Sequence, residues 1–233
     1  MAWDYTIAHH TVIELTNKMS IQRHYSFFDR LCLNIDQAVR ALTDNVITTG
    51  HPYPAHHIKE ASLNDAERKQ AAALMRINHA GEICAQALYH GQGAVSHSQQ
   101  TQMKMQQAAK EEGDHLNWCR KRLLELGSHT SYLNPLWYSG SFCIGLLAGM
   151  VGDEWSLGFV AETERQVIHH LARHLHTLPK QDHRSAAILQ KMESDEAKHR
   201  DEALALGAKE LPHLIKKIMA MTSKIMVKTA YFI

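Results

Sequence analysis

At 233 residues, with 45% hydrophobic side chains against only 5 prolines and 12 glycines, the chain is sized for one packed, mainly helical domain and is not a disordered one. Its 25 basic and 24 acidic residues leave a formal charge of +1, which excludes a bulk electrostatic footprint for nucleic acid. The 4 cysteines form no C-x-x-C, so zinc-ribbon and thiol-redox chemistry are excluded and a reducing cytosol fits.

Residues 1–18 are weakly patterned and read as an N-terminal extension; they lack the basic region and apolar core of a secretory signal. Ser26, with Asp29 three residues on, predicts a helix start, and apolar residues at helical spacing carry the helix to about Thr49, where Gly50 ends it. Residues His51 to Ser62, with Pro52 and Pro54, read as a connecting loop. Asn64-x-x-Glu67 resembles a capping box and opens a long helix through Glu82 that runs out at Gly91 and Gly93. The next helix spans about Gln100 to Leu126, is closed by Gly127, and carries Glu112 and His115.

Ser128 to Ser141, with Asn134-Pro135, reads as a long crossover, followed by the apolar stretch Trp137 to Val160. Its most apolar run, Phe142 to Gly152, is about half of the ~20 residues a spanning helix needs. Ser156 to about Thr177 is a predicted helix with Glu162, Glu164, His169 and His170, stopped by Leu178-Pro179. Asp182 to Leu206 is the next, carrying Glu196 and His199 and ended by Gly207; the last helix runs from about Leu211 to the C-terminus. Four long helices with one long connection in the middle, plus an extra helix at each end, is the ferritin-like connectivity.

Two phrases, Glu112-Gly-Asp-His115 and Glu196-Ala-Lys-His199, each aim a carboxylate and an imidazole from one helix face. With 18 histidines, chance matches are expected, and Glu210-Leu-Pro-His213, which holds a proline at a helix boundary, reads as one. Spacing separates the other two from chance. Glu82 precedes Glu112 by 112 − 82 = 30 residues, and Glu164 precedes Glu196 by 196 − 164 = 32. In an antiparallel hairpin such separations bring both members to the same height, about 20 Å from the turn. Ordinary solvated charge is the commoner fate of a helical glutamate, but Glu82 sits among small and apolar neighbours, where a buried carboxylate needs a cation or strong hydrogen bonds. Glu82, Glu112, His115, Glu164, Glu196 and His199 thus form the ligand set of a carboxylate-bridged di-iron or di-manganese centre, with Glu162 left beside it or on the surface.

The apolar stretch Trp137 to Val160 suits a membrane interface or an apolar ligand channel opening near Phe142 to Met150, and the last helix sets Lys217, Lys224 and Lys228 beside a Met/Ile face suited to anionic headgroups. Plain core packing is the competing account of both.

Leu74-Met-Arg-Ile-Asn-His-Ala-Gly-Glu-Ile-Cys-Ala-Gln-Ala-Leu-Tyr89, Glu111-Glu-Gly-Asp-His115, Leu133-Asn-Pro-Leu-Trp-Tyr-Ser-Gly-Ser-Phe142 and Ser194-Asp-Glu-Ala-Lys-His199 together closely resemble the bacterial demethoxyubiquinone (demethoxyubiquinol) hydroxylase family of ubiquinone biosynthesis. The resemblance covers roughly Arg23 to the C-terminus and implies a single ferritin-like di-iron domain over residues 19–233. It implies a monooxygenase that binds two iron ions through the six residues named above and hydroxylates a polyprenyl demethoxy-benzoquinol with O₂. It further implies a peripheral protein on the cytoplasmic face of the bacterial cell membrane, with other ubiquinone-biosynthesis proteins as candidate partners. Electrons are expected from a nicotinamide donor such as NADH or from the quinol itself, and the sequence holds no G-x-G-x-x-G fingerprint. Animal members follow the matching His169-His170 with tyrosine, where this chain has Leu171. A ferroxidase and a non-enzymatic quinone or lipid carrier are the rival readings.

Overall fold

The computed structural model describes residues 26–43 and 45–233; the expected extension at 1–18 lies outside the described residues. The chain divides into two compact units, 1–33 and 34–233. Of the first, residues 26–33 are described. They open helix α1 (Phe27–Leu42), whose start is capped as Ser26 and Asp29 predict: the Ser26 amide donates to Asp29 Oδ2 at 2.9 Å, and the Asp29 amide to Ser26 Oγ at 3.2 Å.

The second unit holds the rest of α1 and six further helices: α2 (Asp65–Val95), α3 (Gln99–Glu125), α4 (Asn134–Met150), α5 (Asp153–Thr177), α6 (His183–Ala205) and α7 (His213–Ala230). No strand occurs among the described residues. The α2–α3 and α5–α6 hairpins make the four-helix bundle, and the connection between them carries α4 back along α2. The Asn64–Glu67 capping box that starts α2 is present in both directions. Gly127 and Gly207, at φ of 70° and 93°, end α3 and α6 as their positions in the sequence predict.

Three boundaries differ from expectation, each for a packing reason. Helix α1 stops at Leu42 rather than Thr49, because residues 46–50 leave the helical path and lie against α3. There the amides of Thr49 and Gly50 donate to the Asp114 carboxylate at 3.3 and 3.2 Å, and Gly113 makes room for the Ile47 carbonyl. Helix α2 continues past Gly91 and Gly93 to Val95, since Gly91 seats α4: any Cβ there would strike the backbone of Phe142 and Leu146. The crossover is itself mostly helix, as α4 begins at Asn134 with Pro135 in its first turn.

One apolar cluster at the far end of the bundle joins Met75, Trp118, Leu123, Leu171, Ile188 and Met192; another, around Tyr89, Met105, Leu157 and Val160, closes the opposite end. Between them the bundle core turns polar.

Candidate metal centre

The two Glu-x-x-His phrases sit at mid-length of α3 and α6, and Glu82 and Glu164 at mid-length of α2 and α5, so the four helices deliver them to one level. One ligand atom each from Glu82, Glu112, His115 and Glu196 lie within 4.8 Å of one another. His199 adjoins them, its Nδ1 3.3 Å from Glu112 Oε1 and 3.2 Å from Glu196 Oε2. Glu164 is close enough to Glu196 and Glu112 for their charges to raise its pKa, and it accepts a hydrogen bond from the Tyr89 hydroxyl at 2.5 Å. All six residues are buried.

The arrangement has an internal two-fold pattern. Glu112 turns Oε2 toward His115 Nδ1 at 3.3 Å and Oε1 toward His199; Glu196 turns Oε1 toward His115 Nδ1 at 3.2 Å and Oε2 toward His199. Each of these two carboxylates therefore spans both imidazoles. Glu82 stands only on the His115 side, 3.6 Å from Nδ1. The outer nitrogens are tied down reciprocally: His115 Nε2 lies 3.1 Å from Asp195 Oδ2, and His199 Nε2 lies 2.8 Å from Glu111 Oε2. Each histidine is thus held by the residue that precedes the glutamate of the opposite phrase. Sequence reasoning missed Glu111, Asp195 and Tyr89, although the acidic pairs Glu111-Glu112 and Asp195-Glu196 were the available signal.

Without a cation these groups strain one another. Burial, then the neighbouring Glu112, pushes the Glu82 carboxyl well above its usual range, and burial with Glu196 does the same to Glu164. Burial works against charge on His115 too, but its bonds to Asp195, Glu112 and Glu196 prevail and raise its pKa well above 6.5. Glu82 Oε2, Glu112 Oε1 and Glu164 Oε2 have no hydrogen-bond partner although buried. Such oxygens need a cation, and hard carboxylates with two imidazoles and no thiolate fit iron or manganese. With Nε2 of each ring bound to a carboxylate, Nδ1 is the nitrogen left facing the centre.

Glu162 is buried outside the cluster, held by Arg165 and by Gln166 Nε2, which donates at 2.7 Å. Glu210 is exposed and pairs with Lys216 at 3.0 Å, so the third Glu-x-x-His makes no cluster.

A largely apolar cavity of about 540 Å³ runs into this centre and is lined by stripes from α2, α4, α5 and α7, ending on Glu82, Glu164 and Glu196. From α4 the cavity is lined by Leu136, Trp137, Gly140, Ser141 and Ile144, so the stretch Phe142 to Met150, where the channel is expected to open, borders it at Ile144. The later glycines of α4 are used otherwise, Gly145 packing on the Leu88 backbone and Gly149 on Gln92 and Val95. Leu171 lines the cavity as a buried apolar residue.

The family model described as "Ubiquinone biosynthesis protein COQ7" matches residues 69–230. The protein named 3-demethoxyubiquinol 3-hydroxylase in Nitrosococcus oceani is 51% identical over 211 residues, covering 91% of this chain and 99% of the relative. Those so named in Acinetobacter baumannii and Nitrosomonas eutropha are 51% and 50% identical, covering 91% and 88% of this chain and 100% and 98% of the relatives. A solved structure described as a dodecameric thioferritin, the bacterioferritin-related protein from Bacteroides fragilis, aligns with a TM-score of 0.50 at 14% identity, over 67% of this chain and 90% of that one. At that identity the likeness speaks to the fold alone, which is ferritin-like.

Proposed function

We propose a function from the premise that this chain belongs to the ubiquinone biosynthesis protein COQ7 family: it is an oxidoreductase that hydroxylates the ring of a polyprenyl demethoxy-benzoquinol. The observation that carries the reading is the apolar cavity ending on Glu82, Glu164 and Glu196. An iron-storing ferroxidase has no use for it, and a plain lipid carrier has no use for buried carboxylates at its end.

In this reading two iron ions are held by Glu82, Glu112, His115, Glu164, Glu196 and His199, all within one catalytic domain over residues 19–233. The bound, reduced metal pair supplies the activation of O₂, with electrons from NADH or from the quinol itself. The chain's own part is positional. Glu111 and Asp195 fix the two imidazoles with Nδ1 inward, and Tyr89 holds Glu164 by its hydroxyl. The apolar walls, Leu171 among them, keep bulk water from the ring, and the carboxylates at the cavity's end present the metals to it.

No described helix is long and apolar enough to cross a membrane. The reading instead lays the protein on the cytoplasmic face of the cell membrane through the exposed Leu214, Ile218, Met221 and Ile225 of α7, beside Lys217, Lys224 and Lys228. The cavity borders that helix through Ile215, Ile218 and Met219, so a substrate dissolved in the bilayer would enter from the face that docks. The test is turnover of iron-loaded protein with a demethoxyquinol under air: one added oxygen on the ring supports the reading, and iron oxidation without organic product favours a ferroxidase.

A further inference from the structure

The 12 glycines of this chain fall into groups with different physical reasons. Gly50, Gly127, Gly152 and Gly207 have positive φ, and Gly91, Gly113, Gly145, Gly149 and Gly158 lie against atoms, mostly backbone, that a Cβ would strike. Gly93 has Met105 in ordinary contact. Only Gly81 and Gly140 combine a helical backbone with nothing within 4 Å of where a Cβ would stand, and both line the cavity. A glycine inside a helix is destabilising relative to alanine, so empty space at such a position, with no packing to explain it, points to room kept for something else.

Gly81 lies on the same stripe of α2 as Asn78 and next to Glu82. Asn78 is 3% exposed, and its amide is oriented by a neighbour: His174 Nδ1 lies 3.0 Å from Asn78 Oδ1. Because an amide oxygen only accepts, His174 Nδ1–H is the donor of that bond, which leaves Nδ2 of Asn78, a residue of the cavity lining, buried with no hydrogen-bond partner. Across from this turn, Trp137 of α4 packs against the cluster of Ile77 and Ala80, and its Nε1 is likewise buried without a partner. One turn of α2 therefore offers a gap and an unused donor beside Glu82, with a second donor opposite.

Resting on the hydroxylase reading, we propose that Asn78 and Gly81 are specificity-determining residues that seat the quinol ring: Gly81 leaves the space its edge occupies beside Glu82, and Asn78 Nδ2 donates a hydrogen bond to a ring oxygen. Gly140, exposed at the rim, leaves the mouth open for the tail.

The test uses the full chain, iron-free and iron-loaded, titrated calorimetrically with a methoxy-methyl-1,4-benzoquinone bearing one isoprene unit. Gly81→Ala should raise the melting temperature by about 2–4 °C through helix propensity, yet weaken quinone binding about tenfold or more by filling the seat. Asn78→Ala should remove about tenfold of the preference for this quinone over a tail-matched ring without oxygens. Unchanged binding in Gly81→Ala overturns the proposal, and so does a lowered melting temperature, which would mean that the missing side chain serves packing. An unchanged preference in Asn78→Ala overturns the hydrogen bond. Wild-type protein that binds and hydroxylates while the variants behave as wild type sinks the seat alone; wild-type protein that does neither sinks the hydroxylase reading and the seat with it.

Discussion

The Asp195 carboxylate lies 3.1 Å from Nε2 of His115, on the far side of the ring from the Nδ1 that faces Glu112 and Glu196. Glu111 stands in the same relation to His199, at 2.8 Å. A carboxylate behind an imidazole fixes its tautomer and makes it a better ligand. Replacing Asp195 or Glu111 by alanine should therefore weaken metal binding by about 10–100-fold while leaving the fold intact. Competition against a graded chelator series, with circular dichroism as the control on folding, measures this; equal affinity in wild type and Asp195→Ala would contradict it.

Metal removal should cost stability. Four buried carboxylates within one cluster repel one another, and a ligand that binds only the folded chain stabilises it by mass action. Adding Fe²⁺ anaerobically to the stripped protein should raise its melting temperature and a chelator should reverse the change. Glu112→Ala, which removes the oxygens facing both imidazoles, should abolish most of the rise. A rise of the same size in that variant would argue that the ions bind elsewhere.

Away from the centre, burial pushes His79 and His174 down to about 3 and His90 and His170 down to about 4. Each stays neutral in the folded chain while its unfolded counterpart takes a proton below about 6.5. The unfolded state then binds more protons, so stability is fully present above that pH and is lost as pH falls toward the folded value, by roughly 1.4 kcal/mol per pH unit for each fully buried histidine. His174→Gln, which can keep a bond to Asn78, should show a shallower decline than wild type in urea unfolding between pH 6.5 and about 4.5. Parallel profiles would contradict the assignment.

The glycines of α4 give a contrast in sign with Gly81. A Cβ on Gly145 would strike the Leu88 carbonyl, a backbone group that cannot swing aside. Gly145→Ala should destabilise the chain by about 1–3 kcal/mol despite alanine's better helix propensity. Thermal unfolding reads it, and a stabilised variant would show that α2 and α4 are less closely seated than described.

Most of the bundle was legible because its signals are local. Asn64 with Glu67, Gly127, Gly207 and Leu178-Pro179 mark helix ends by backbone chemistry that tertiary packing leaves in place. The matched spacings from Glu82 and Glu164 to the two Glu-x-x-His phrases carried the centre's level, since helix rise is constant. What the sequence could not convey depends on contacts between distant segments. Thr49 and Gly50 are drawn off a helical path by Asp114, 65 and 64 residues away. Gly91 reads as a helix end until α4 is laid upon it. The same blindness hides the role of two glycines, because the small residues of Phe142 to Met150 read as a lining when Gly145 and Gly149 are packing surfaces and Ile144 is the one of that stretch that borders the cavity. Glu111 and Asp195 look like solvated neighbours of ligands, and only the meeting of α3 with α6 turns each toward the other helix's histidine.

The central claim is that the cavity delivers a quinol ring to an oxygen-activating centre built on the six clustered residues. Its most direct test is a single turnover of the iron-loaded, reduced protein with a demethoxyquinol and isotopically heavy O₂, followed by mass spectrometry of the ring. The account predicts a hydroxylated ring carrying one heavy oxygen atom, and none in protein with Glu112→Ala. A ring that gains no oxygen, or gains it from water instead of O₂, would contradict it.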